Sequence, residues 1–124
     1  MELDKKSKKY FDLAKKLSFK SQYHHKIAAV VVKKGRILGV GVNNPYKTHT
    51  KSTNPWRTIH AELDAILDSP KEELKGSSIY VYREHKNGNL ASSKPCEHCA
   101  ALIAKVGIIK VYYTDNNEYK EYVV

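Results

Sequence analysis

Two short stretches carry residue types that can do chemistry, His60-Ala61-Glu62 and Pro95-Cys96-Glu97-His98-Cys99. The first supplies an imidazole and a carboxylate two residues apart. The second supplies two thiols at C-x-x-C spacing. One histidine and two cysteines make three zinc ligands, one short of the four protein ligands that close a structural zinc site. A catalytic zinc keeps its fourth tetrahedral position for water. Glu62, two residues from the histidine, is close enough to act on such a water. The competing readings are a chance C-x-x-C or a thioredoxin-type redox pair. Neither accounts for the H-x-E that precedes it in the order a metal-assisted hydrolase needs.

These groups need helices to hold them. Residues 59–68 read as a helix stopped by Pro70, with Ala61, Leu63, Ala65, Ile66 and Leu67 as its apolar surface. His60 and Glu62 then fall in its first turn, where the helix dipole is positive. Cys96 and Cys99 open a second helix at i, i+3, which puts both sulfurs on one face, and a helix N terminus favours the thiolate. This helix runs almost wholly apolar through Val106 to Gly107 and reads as buried. His98 points away from the Cys96 face and reads as exposed. Asp64 and Asp68 read as facing outward or capping neighbours, the other reading of Asp64 being a contact with the substrate loop.

The rest of the chain reads as scaffold. Residues 2–19 predict an amphipathic helix with Leu3, Tyr10, Phe11, Leu13, Ala14 and Leu17 on its apolar side and lysines on a solvated face. Ile27 to Val32 is a continuous β-rich run typical of a buried strand. It turns at 33–36 into a returning strand over 37–42, in which Gly39 and Gly41 mark a close backbone approach or a bulge. A third strand covers 77–83, Asn87-Gly88 a tight turn, a fourth strand 108–113, and a fifth 118–124 after a turn at 114–117. A parallel crossover needs about a dozen residues, so the expectation is an antiparallel hairpin of strands four and five, or no fifth strand at all. The His24-His25 pair has no third ligand nearby in sequence and is left outside the site.

Residues 43–58 form a long loop leading into His60, with Lys47, Lys51 and Arg57, no carboxylate, Tyr46 and the single tryptophan, Trp56. Long loops in small domains are often functional. Cations beside aromatic rings suit a phosphate and a base, and this makes Lys51, Arg57 and Trp56 substrate candidates. The other reading is a polar surface loop whose tryptophan caps the core.

The 124 residues fit one domain spanning 1–124. Both cysteines are taken by the motif, so no disulfide framework remains, which fits a reducing cytoplasmic compartment. No segment reaches the roughly 18 apolar residues of a membrane span, and the N terminus lacks a signal-peptide stretch. The formal charge of +9 suits an anionic partner, a nucleotide or a nucleic acid.

H-A-E and P-C-x-x-C, in this order and over nearly the whole chain, resemble the zinc-dependent cytidine deaminase-like superfamily. The stretch His60 to Leu67 looks most like its deoxycytidylate deaminase branch, with Asp64 where that branch usually has asparagine. The loop also looks like that of short phage-type deaminases. The resemblance implies a three-layer α/β/α fold with a central mixed sheet of four to five strands, and homo-oligomers. It implies Zn²⁺ on His60, Cys96 and Cys99, with Glu62 moving protons between water, the pyrimidine N3 and the departing ammonia. By the same resemblance Asn43 contacts the sugar and the backbone N–H of Ala61 holds the pyrimidine carbonyl.

The expected activity is hydrolytic deamination of a cytosine nucleoside or nucleotide, with deoxycytidylate favoured by the basic loop. The rivals are a deaminase of single-stranded DNA or RNA, supported by the charge, and an idle zinc-binding interaction protein. The free carboxylate of Glu62 argues against the latter.

Overall fold

The computed structural model describes residues 5–20, 26–43 and 60–124. A five-stranded sheet in the order β2-β1-β3-β4-β5 lies between helices. Its strands are β1 (Ile27–Lys33), β2 (Arg36–Val42), β3 (Ser78–Arg83), β4 (Lys110–Asp115) and β5 (Glu118–Val123). The helices are α1 (Lys5–Ser18), α2 (Ala61–Asp68) and α3 (Glu97–Lys105). The β3–β4 pair is parallel, with α3 in its crossover, and the other three pairs are antiparallel. The sheet is therefore mixed and the domain three-layered, as expected.

Alternation of side chains across the strands sends two sets of residues to opposite faces. Ala28, Val30, Val32, Tyr80 and Tyr82 face α1 and meet its Tyr10, Phe11 and Ala14. Tyr80 is the centre of this layer. It stacks on Tyr112 at 4.3 Å and takes Phe11 edge-on at 5.3 Å. The α1 lysines are exposed, which agrees with a solvated face. On the other side Ala29, Val31, Ile79, Val81, Val111 and Tyr113 pack under Ala61, Ala65 and Ile66 of α2 and Ile103 of α3.

Both hairpins use two-residue turns with positive φ, Lys34-Gly35 and Asn116-Asn117, a geometry that matches the twist of the flanking strands. The β4–β5 hairpin follows as expected, running from Asp115↔Glu118 to Lys110↔Val123. Gly39 and Gly41 mark both a bulge and a close approach. The β1–β2 register slips between Val31↔Gly39 and Val32↔Ile37, which leaves Leu38 as the extra residue. A Cβ on Gly41 would lie 2.3 Å from the Ala65 nitrogen and 2.5 Å from the Ala61 oxygen. The backbone of α2 therefore rests directly on β2.

Several boundaries differ from expectation. The ladder of β4 begins at Lys110 rather than Ile108, where parallel pairing to Ser78 starts. Helix α3 is not buried all round. Cys99 and Ile103 are buried, whereas Ala101 and Ala104 are exposed, because this outer helix meets the sheet along one stripe only. Among the described residues no helix is long and apolar enough to cross a membrane.

Candidate metal and catalytic centre

The chain enters α2 through His60 and α3 through Cys96, and both residues are N-caps rather than members of the first turn. Their extended backbones (ψ 150° and 164°) let the side chains swing across the helix ends. The imidazole of His60 makes no capping bond. The Cys96 sulfur accepts from Cys99 N–H at 3.5 Å. The segment before Cys96 is fixed by buried hydroxyls that the sequence reading passed over. Ser93 Oγ donates to Val81 O at 2.8 Å and accepts from Thr114 N–H at 2.7 Å. Thr114 Oγ1 donates to Ala91 O at 2.7 Å. The loop carrying the thiols is thus riveted to the ends of the parallel strands β3 and β4.

Helix α2 and the N terminus of α3 bring His60, Cys96 and Cys99 together, with one ligand atom from each lying within 4.8 Å of the others. His60 Nδ1 stands 3.2 Å from Cys99 Sγ and 3.7 Å from Cys96 Sγ. A zinc ion with bonds of about 2.05 Å to nitrogen and 2.3 Å to sulfur in a tetrahedral arrangement would put N and S about 3.6 Å apart. The two measured separations bracket that value, so the trio converges as metal ligands do, through Nδ1. Two soft sulfurs and one imidazole are a donor set suited to zinc. His98, between the cysteines, is exposed and outside the cluster, as expected.

Glu62 is buried at 5% exposure. Burial lifts its carboxyl above the usual 4.5, against a backbone hydrogen bond, the His60 charge and the Cys99 thiol, which pull it down. Burial also drives the Cys99 thiol far up, and the neighbouring Glu62 carboxylate and Cys96 push the same way. A site that gathers groups needing to be anionic, yet in the bare protein resists their ionisation, is one that a dication completes. A bound metal is the largest local charge and reverses the sign of these shifts.

Asn43 lies at the end of β2 and is buried at 7% exposure. Its Oδ1 accepts from Ile27 N–H at 2.9 Å, and its own N–H donates to Ile27 O at 3.1 Å. Ala61, which follows His60, is buried in the α2–sheet core. Lys51, Trp56 and Arg57, like the His24-His25 pair, lie outside the described residues. Asp64 and Asp68 cap neighbours. Their carboxylates accept from Val42 N–H at 3.2 Å and Val40 N–H at 3.0 Å.

Comparison with known proteins agrees with this geometry. The cytidine and deoxycytidylate deaminase zinc-binding region matches residues 4–115. The uncharacterised deaminase in the luxG 3′ region of Aliivibrio fischeri is 32% identical, over 94% of this chain and 77% of its own length. The deoxycytidylate deaminase of Mycobacterium phage D29 is 34% identical, over 71% of this chain and 77% of its own. The crystal structure of the dCMP deaminase of cyanophage S-TIM5 superposes with a TM-score of 0.67 at 29% identity, covering 89% of this chain and 82% of that one. A zinc-type donor trio beside a buried carboxylate, on a fold and a sequence shared with these enzymes, places the chain in the cytidine and deoxycytidylate deaminase zinc-binding family.

Proposed function

We propose that this protein hydrolyses deoxycytidylate to deoxyuridylate and ammonia, with His60, Cys96 and Cys99 as zinc ligands and Glu62 as the proton carrier. The observation that carries the reading is the convergence of one imidazole nitrogen and two sulfurs beside a buried carboxylate. The substrate class is supported by relatives named as deoxycytidylate deaminases and by the cyanophage enzyme crystallised with dCMP and dUMP.

Zinc held by the three ligands supplies the Lewis acidity that makes a water nucleophilic near neutral pH. Glu62 takes the proton that this water gives up and delivers it to N3 of the pyrimidine. The C4–O bond forms first; as the C4–N bond then breaks, Glu62 carries the second proton of that water, from the new C4 hydroxyl, to the leaving amino group, so that one water enters and one ammonia leaves. The N–H of Ala61 holds the pyrimidine carbonyl and Asn43 contacts the sugar. Arg57 and Lys51 take the phosphate, for which a guanidinium fork is well suited, and Trp56 packs on the base. The chain acts as a single self-associating domain in the reducing cytoplasm, where its thiols stay available to the metal.

The deciding experiment incubates purified protein with dCMP, cytidine, adenosine, guanine and a single-stranded oligonucleotide, and reads each by mass shift. Turnover of dCMP above the rest is expected. Preference for the oligonucleotide, with activity falling steeply in salt, would transfer the function to nucleic acid. Glu62→Ala should keep about one zinc per chain and lose on the order of 10²–10⁴-fold in turnover, whereas Cys99→Ala should lose the metal. Equal zinc loss in both would make Glu62 a ligand.

A further inference from the structure

Among the described residues β2 is an edge strand, and no strand there receives its outward N–H groups. Such edges usually carry protective features. Here two of these donors, at Val40 and Val42, are received by α2, through Asp68 and Asp64 respectively. The spacing explains why these two positions serve. Four helical residues rise about 6 Å and two strand residues about 6.8 Å, so carboxylates at i and i+4 match every second N–H of a strand running the other way. Glycines at 39 and 41 let the helix backbone approach closely enough for short aspartate side chains to reach.

The two bonds differ in what they hold. Asp68 is exposed and grips the middle of β2. Asp64 is half-buried and grips Val42, the residue next to Asn43. Asp64 also belongs to the first turn of α2, where its N–H donates to His60 O at 3.0 Å. One residue thus bonds through its backbone to a metal-ligand residue and through its side chain to the strand end that carries Asn43. Val42 pairs with Ala28 of β1, and the next residue, Asn43, donates its N–H to Ile27 O.

We propose that Asp64 is a positioning residue for nucleotide recognition, a carboxylate that sets the distance between the sugar-contacting end of β2 and the metal helix. The inference rests on the reading of Asn43 as a sugar contact. Its expected effect is on substrate binding, since its side-chain bond ends on Val42, the residue beside Asn43. Asp68 performs the same bond two strand residues farther from Asn43 and is a built-in control.

The test compares Asp64→Ala, Asp64→Asn and Asp68→Ala in the zinc-loaded enzyme, reading KM and kcat for dCMP, zinc content, and amide hydrogen exchange at Val40 and Val42. Misplacing a substrate contact by about 1 Å can cost on the order of 10²-fold, and loss of one bond that leaves the strand paired on its other side should cost less. Asp64→Ala is expected to raise KM about five- to tenfold with kcat within about twofold and zinc retained, and to speed exchange at Val42. Asp64→Asn, whose Oδ1 can still accept, should restore KM. Asp68→Ala should speed exchange at Val40 and leave KM within about twofold. Equal KM in all three variants, or equal rises in Asp64→Ala and Asp68→Ala, would overturn the positioning role. Asn43→Ala separates this from the reading beneath it. Unchanged KM there removes the sugar contact itself, whereas a raised KM there beside an unchanged Asp64→Ala overturns only the role of Asp64.

Discussion

Replacing Gly41 by alanine tests whether the metal helix is seated on the sheet as closely as the structure has it. The new Cβ would meet three backbone atoms of α2, at 2.3 Å from Ala65 N, 2.5 Å from Ala61 O and 2.8 Å from Asp64 C. None belongs to a side chain that could rotate away. Real Cβ atoms essentially never come within 3.0 Å of such neighbours, so helix and strand must part by about 0.7 Å or more. Overpacking of this kind costs about 1–3 kcal/mol, and for a domain of this size each kcal/mol lowers Tm by roughly 4 °C. Because α2 carries Glu62 and is entered through His60, the displacement also reaches the reacting groups. Turnover should fall by about 10- to 100-fold, the range expected for ångström misplacement. Gly35→Ala is the comparison. No atom lies within 4 Å of the added Cβ, yet φ is +77°, so it should cost about 1–2 kcal/mol of backbone strain at the far end of the hairpin and leave turnover unchanged. Differential scanning calorimetry and steady-state kinetics on the two variants decide the matter. If Gly41→Ala melts and turns over like the parent, α2 does not rest on β2 and the account of the site's scaffold is wrong.

Two further perturbations address the other ligand segment and the charge of the site. Ser93→Ala removes the acceptor of Thr114 N–H and the donor to Val81 O, both in buried surroundings. Unsatisfied buried groups cost about 1–3 kcal/mol each, so Tm should fall and zinc should leave faster to a competing chelator, and an unchanged zinc half-life would show that the rivet does not position Cys96. In metal-free protein the Glu62 carboxyl is raised above 4.5, chiefly by burial. A raised acid binds its proton more tightly in the folded state, so its contribution is full below the unfolded value and fades as pH rises through the folded one. Chelated protein should therefore lose Tm on going from acid toward neutral pH, and chelated Glu62→Gln should lose less. Parallel pH curves for the chelated parent and chelated Glu62→Gln would refute this.

How far the sequence reveals the molecule depends on the kind of interaction. Local signals read well. The apolar stripe of α1, the Gly-containing turn before β2 and the short 114–117 connection each specify their structure from neighbouring residues, and the antiparallel ending of the sheet follows from a length too short for a crossover. The zinc trio reads well because its residue types are rare and their chemistry narrow. What stays illegible is polar support aimed at backbone. Ser93 and Thr114 are 21 residues apart and mostly address carbonyls and amides, which leave no mark in a pattern of side-chain types. Asp64 and Asp68 show the same difficulty. Their i, i+4 spacing is visible, but their partners are N–H groups of an edge strand, and only the topology says which strand is an edge. The exposure of Ala101 and Ala104 also depends on layer order, since an apolar helix sequence does not reveal whether a second surface covers it.

The position of the ligands at helix caps, one residue earlier than an in-helix reading puts them, has a chemical consequence. The first N–H groups of a helix have no intrahelical partner, and together they carry a partial positive charge. His60 and Cys96 occupy the caps of two helices whose ends meet, and Glu62 and Cys99 sit in or near the first turns. The Cys96 sulfur already takes one such donor, from Cys99. Two thiolates and a carboxylate crowded into a half-buried site would repel one another. Here the helix termini offset part of that charge, and a dication supplies the rest. The cap position also fixes the geometry. A residue inside a helix directs its side chain back along the preceding turn, whereas the extended backbone at His60 and Cys96 lets imidazole and sulfur reach across the gap between α2 and α3. Glu62, held inside α2, cannot swing in the same way. It stands beside the trio of His60, Cys96 and Cys99, and this agrees with the proposed role of proton carrier as opposed to fourth ligand.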